Sequence, residues 1–157
     1  MTDLISEIDR CETLFLIGLR ELDFNTLTLI VQAGVAGAVQ TVQVGSVEIS
    51  DCTAMEPRGQ VFELIWQQYV GYSVLNESYA LLDDGGILKG KRYRVYTRSN
   101  FLNYMSKATL ASDEYPGPAV HYELACEDHL INILAVNPPT IRRLPFSPDA
   151  VVDEPVN

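Results

Sequence analysis

The chain has 157 residues, with 11 Lys and Arg against 21 Asp and Glu, a formal charge of −10. At 47% hydrophobic it is too apolar for a disordered chain, and it is long enough to bury its own core without staples. The acidic balance disfavours nucleic acid and anionic membranes and favours a basic protein partner.

The elements read as follows in chain order. Leu4, Ile5, Ile8 and Cys11 recur at helical spacing over residues 3–12, with Thr2 or Asp3 as the cap. Leu14 to Leu19 reads as a short strand and Asp23 to Asn25 as a turn. From Thr26 the period becomes 2, with Leu27, Leu29 and Val31 on one face. Gly34 to Gly37 is taken as the turn of a hairpin, Val39 to Ile49 as its return strand with a bulge at Gly45-Ser46, and residues 50–59 as a loop. The uncharged stretch Phe24 to Val47 contains Asn25, Gln32, Gln40 and Gln43, which suit strands better than a membrane span.

Val61 to Leu75 shares parity through Phe62, Leu64, Trp66, Val70, Tyr72 and Val74, and reads as one long strand. Asp83 to Gly86 is a turn, Tyr93 to Thr97 a strand, and Ser99 to Thr109 a second helix with Phe101, Leu102, Met105 and Ala108 as its buried stripe. Val120 to Cys126 and Leu130 to Val136 complete the strands, and Pro138-Pro139 stops the last. The expected fold is α+β: a mostly antiparallel sheet of six to eight strands, open or partly closed into a barrel, with about two helices. Residues 1–144 form a single domain, and residues 145–157 a loose, acidic, proline-containing tail.

Charge is uneven: residues 1–60 are net −6, 61–112 net +2 and 113–157 net −6. The basic minority is concentrated between Lys89 and Arg98. If residues 91–98 are extended, Arg92, Arg94, Tyr96 and Arg98 line one face, able to grip phosphate or carboxylates or to pair with acids on neighbouring strands. Trp66, Tyr69 and Tyr72 add aromatic surface of the kind that anchors protein interfaces. These seven residues are the candidate partner-binding set.

His121 and His129 are the only histidines. His121 and Glu123 share a strand face, and His129 lies beyond the turn, so the three offer a metal or hydrolase set with Glu77 as a base. The spacing matches no HExxH and no finger, and GxSxG, the P-loop and GxGxxG are absent, so no cofactor is expected. Cys11, Cys52 and Cys126, odd in number and widely spaced, indicate free thiols in a reducing cytosol. The acidic N-terminus lacks the basic region of a signal peptide.

The run Tyr69-Val-Gly-Tyr-Ser-Val-Leu-Asn-Glu-Ser-Tyr79, with Arg94 to Leu102, Tyr115-Pro-Gly-Pro118, His121 and His129, resembles an uncharacterised family of small bacterial single-domain proteins. The resemblance covers about residues 60–136 and implies no catalytic signature and no site roles. Three functions stand open: a non-catalytic acidic protein-binding module of the immunity or antitoxin kind, a self-associating structural or phage-type accessory protein acting as a homodimer, and a small metal-dependent hydrolase.

Overall fold

The computed structural model describes residues 3–22 and 24–146. Among them the elements are α1 (Leu4–Asp9), β1 (Leu14–Leu22), β2 (Thr26–Ala33), β3 (Val35–Val44), β4 (Val47–Glu56), β5 (Val61–Gln67), β6 (Gly71–Asn76), β7 (Ile87–Lys89), β8 (Tyr93–Arg98), α2 (Asn100–Ala108), β9 (Val120–Ala125), β10 (His129–Ala135) and β11 (Thr140–Leu144). All paired strands are antiparallel. The α+β class holds, but eleven strands replace the expected six to eight. They form three sheets, β1-β2-β5-β11, β6-β10-β9-β8-β7 and the pair β3-β4, none closed into a barrel. Thr2 and residues 147–157 of the expected tail lie outside the described residues, as does Asp23 of the expected turn.

The core is the inner face of the first two sheets. Leu27, Leu29 and Val31 of β2 and Phe62, Leu64 and Trp66 of β5 are fully buried, and they belong to one cluster with Tyr122 and Leu124 of β9 and Ile131 and Ile133 of β10. Trp66 meets Tyr122 at 6.0 Å between ring centroids. Each such side chain contributes about 1.5–3 kcal/mol through burial. Residues 61–75 contain no helix, but the expected long strand is two strands in different sheets. The break falls at Gln68, whose backbone lies in the left-handed region (φ 55°), and carries the chain from one sheet to the other. The expected parity holds in part: Phe62, Leu64 and Trp66 of β5 are buried and Tyr72 packs against the core, but Val61 and Glu63 are buried too and Val74 is exposed.

The hairpin is also displaced. Gly34 only interrupts the strand, and β2 continues as β3 while β4 returns as β5. Val44 pairs with Val47, so the tip is Gly45-Ser46, with Gly45 at φ 62° as a two-residue turn requires. Residues 50–56, expected as loop, are strand; the breakers Pro57 and Gly59 act only past Glu56.

Both helices are shorter than expected, and their caps are local. Asp3 accepts the Ile5 N–H at 3.2 Å, and Ser99 accepts the Leu102 N–H at 3.0 Å. Of the expected α2 stripe, only Met105 is fully buried, Phe101 and Leu102 are half-buried and Ala108 is exposed. Gly71 lets α2 settle on the second sheet, since a Cβ there would stand 2.4 Å from the Met105 Cε.

Trp66→Ala is expected to lower unfolding free energy by about 3–5 kcal/mol in urea titrations, whereas Val44→Ala on the exposed β3 should change it by under about 0.5 kcal/mol.

Candidate functional site

Side chains that point away from the core on the second sheet build a polar floor. Register sets it: Arg94 on β8 pairs with Glu123 on β9, Glu123 with Asn132 on β10, and Asn132 with Ser73 on β6. These four residues run in one row across four strands. Two residues along, on the same face, Tyr96 pairs with His121. Over this floor α2 and the segment after the 3-10 turn Glu77–Tyr79 raise walls, leaving a cavity of about 410 Å³. Its apolar lining is Leu75, Leu81, Leu82, Phe101, Tyr104 and Leu130.

Hydrogen bonds fix each floor group. Ser99 Oγ accepts from the Leu102 N–H at 3.0 Å and is hydrogen-bonded to His121 Nδ1 at 2.8 Å. His121 Nε2–H donates to Asn132 Oδ1 at 2.9 Å, and Asn132 Nδ2 donates to Ser73 Oγ at 3.4 Å. Both imidazole nitrogens are committed, and Nδ1 accepts from the Ser99 O–H in the neutral ring, which burial favours. Burial pushes its pKa below the ordinary range, although Asn132 and Glu123 pull the other way. Tyr96 stacks on the ring at 4.4 Å and Phe101 lies tilted against it at 4.8 Å. Glu123 Oε1 accepts from Arg94 Nη1 at 2.7 Å and from the Tyr96 hydroxyl at 3.3 Å. Burial, and then the Glu123 charge, raise the Tyr96 pKa.

Ser99, His121 and Asn132 have the connectivity of a nucleophile, base and orienting group. Ser99, however, is only 2% exposed and does not line the cavity, so it cannot reach a substrate held there. Its hydroxyl serves the helix cap. The triad locks α2 to the sheet.

The hydrolase set is not brought together. His121 and Glu123 share the floor, as strand parity requires, but His129 pairs with Cys126 and Asn76 while His121 pairs with Leu134. Five strand positions, about 17 Å, separate His129 from the partner of His121. Glu77, exposed in the 3-10 turn, follows Asn76 at the His129 end. Among the described residues no three His, Cys, Asp or Glu groups could hold a metal ion together. Cys126 is buried, which pushes its thiol up to about 12.

The cationic row is likewise broken. Arg94 pairs with Glu123, and Arg98 Nε donates to the Gly85 carbonyl at 2.6 Å. Arg92 precedes β8 and donates to the Glu12 carbonyl. There the loop wraps Asp9, whose Oδ1 accepts the N–H groups of Lys91, Arg92 and Tyr93 at 2.5, 2.7 and 3.1 Å. Burial opposes the Asp9 charge, yet those three bonds hold its carboxyl below the usual range. Trp66 cannot meet a partner, being fully buried in the core. Tyr69 and Tyr72 are half-buried edge to face at 5.4 Å, and a bond to Glu21 pushes the Tyr69 hydroxyl up to about 12.

The other distinctive surface is one that sequence reading missed. The ribbon β3–β4 has ten residues in each strand, about 33 Å of extended chain. Val42 pairs with Ile49 and Val44 with Val47, so these four share one face near the tip, while Gln43 and Glu48 take the other. Val44 and Val47 are 59% and 58% exposed. The signal was present in the sequence as an uncharged alternating run, obscured by placing the turn at Gly34 to Gly37. No protein family, curated protein or solved structure matches the chain. Among the described residues no helix is long and apolar enough to cross a membrane.

A His whose folded pKa is depressed contributes stability that is complete above its unfolded value near 6.5, and that declines as pH falls below it toward the folded pKa. Between pH 7.5 and 5, the wild type should therefore lose more unfolding free energy than His121→Gln. Equal losses in paired denaturant titrations would contradict the neutral assignment.

Proposed function

We propose that the protein is a non-catalytic binding module, of the immunity or antitoxin kind, that engages a protein partner through the β3–β4 ribbon. The single observation behind this reading is the apolar face near the ribbon tip, on which Val44, Val47 and Ile49 are exposed among the described residues and Val42 is half-buried. A two-stranded ribbon gains little stability alone in water, and both of its edges offer unpaired backbone groups. Its strands together supply 20 residues, comparable with the 20–30 that one side of a standard interface uses. Residues 35–56 carry Glu48, Asp51 and Glu56 and no base. The complementary partner is thus a protein groove with an apolar floor and a Lys- or Arg-rich rim. The free cysteines suit action in the cytosol.

The committed state of His121 and the distance to His129 give the hydrolase reading no support. Self-association has one observation in its favour: a second cavity, about 640 Å³, lined by Phe24, Gln68, Tyr69 and Leu110 among others. It lies at the Thr26–Gln67 end of the β2–β5 pair, opposite the ribbon end. A head-to-tail contact between copies would join the two, but it must overcome a charge of −10 on each chain.

The test is affinity capture with the wild type and with Val44→Asp/Val47→Asp, followed by titration of the purified pair. The expected result is a basic protein bound by the wild type and at least tenfold more weakly by the variant, with the variant's melting temperature unchanged. Equal binding by both would refute the ribbon as the contact, and light scattering that shows oligomers only in the wild type would favour self-association.

A further inference from the structure

The cavity over the second sheet is independent of the ribbon, and its floor has unspent hydrogen-bonding capacity. Glu123 is 6% exposed and lines the cavity; Oε1 is used twice, and Oε2 has no partner among the described residues. Beside it, Arg94 Nε donates to the Lys91 carbonyl and Nη1 to Glu123, which leaves Nη2 uncommitted. Farther along the row, Ser73 Oγ accepts from Asn132, and its own O–H is free to donate. The floor therefore presents an acceptor beside a donor. Its charges compensate, Arg94 against Glu123, so neither a bare cation nor a bare anion is the matching guest.

The walls are of different chemistry. Phe101 and Tyr104 offer ring faces, and Leu81 and Leu82 line the cavity although 94% and 90% exposed. An apolar body seated between them would remove those leucines from water. The volume falls in the range of small-molecule sites, about 300–1,000 Å³, with an apolar lining and a few convergent polar groups.

From this pairing of a neutral donor–acceptor floor with aromatic and leucine walls, we infer that the cavity binds a planar carboxamide or lactam carried on an apolar body. The N–H of the guest donates to Glu123 Oε2, and its C=O accepts from Arg94 Nη2 or from the Ser73 hydroxyl.

Benzamide is the probe, titrated into the full chain and followed by calorimetry and by backbone amide shifts. The expected result is saturable binding with a dissociation constant of about 1 mM or tighter, with shifts centred on Ser73, Glu123 and Asn132. N,N-dimethylbenzamide, which lacks the N–H, and benzoate should each bind at least tenfold more weakly. Glu123→Ala should weaken benzamide at least tenfold; Tyr104→Ala, at an exposed position, should weaken it several-fold without loss of fold and keeps the test decisive if Glu123→Ala does not fold. Val44→Asp/Val47→Asp should bind benzamide as the wild type does. No saturation up to the solubility limit, equal binding of the dimethyl analogue, or shifts centred elsewhere would overturn the inference and leave the ribbon reading untouched.

Discussion

The structure depends on one constraint: the inner faces of two antiparallel sheets must bury each other. Phe62, Leu64 and Trp66 meet Tyr122, Leu124, Ile131 and Ile133 because alternate residues of β5, β9 and β10 point inward together. Everything exposed is then what the core leaves over. The second sheet's outward residues become the polar floor, and α2 can cover part of them only because Gly71 admits Met105. The polar row Arg94, Glu123, Asn132 and Ser73 exists because those positions have the parity opposite to the core.

The ribbon arises from the same geometry by excess. The path β2–β3 contains eight and ten strand residues, whereas the flanking β11 has five. Past Ala33, among the described residues, no further strand pairs with β3–β4, and the two continue as a separate two-stranded sheet. Its valines are as apolar as those of the core, yet among the described residues nothing covers Val39, Val44 or Val47. A surface of that kind signals contact with another molecule.

Charge follows a similar division. The basic stretch 89–98 admitted two readings, a grip on a partner or pairing with acids on neighbouring strands; Arg94 does pair with Glu123, while Arg98 and Arg92 turn to the Gly85 and Glu12 carbonyls. In an acidic protein, a local run of bases is drawn to the acids and carbonyls that neighbouring elements supply. Asp9 extends this to the backbone, collecting three N–H groups from the loop that begins β8 and tying α1 to the second sheet.

Local chemistry was legible in the residues themselves. Alternation at Leu27, Leu29 and Val31 and the shared face of His121 and Glu123 each need only neighbours a few positions away, and both hold; of the two cap candidates for α1, Asp3 is the one that accepts the Ile5 N–H. Strand count failed where the hairpin was misplaced (β3 and β4), where residues 61–75 split into β5 and β6, and at β7 and β11: β7 has three residues, and β11 follows two prolines and carries Arg142 and Arg143, so neither shows an apolar period. The sequence by itself determined which side chains face inward, because a period of 2 is intrinsic to extended backbone. Only the tertiary structure decided register and sheet membership. Those set which strands lie side by side, and so kept the two histidines apart, aligned Arg94 with Glu123, Asn132 and Ser73, and left β3–β4 a two-stranded ribbon among the described residues, because pairing distant strands is a property of the whole chain and not of any segment of it.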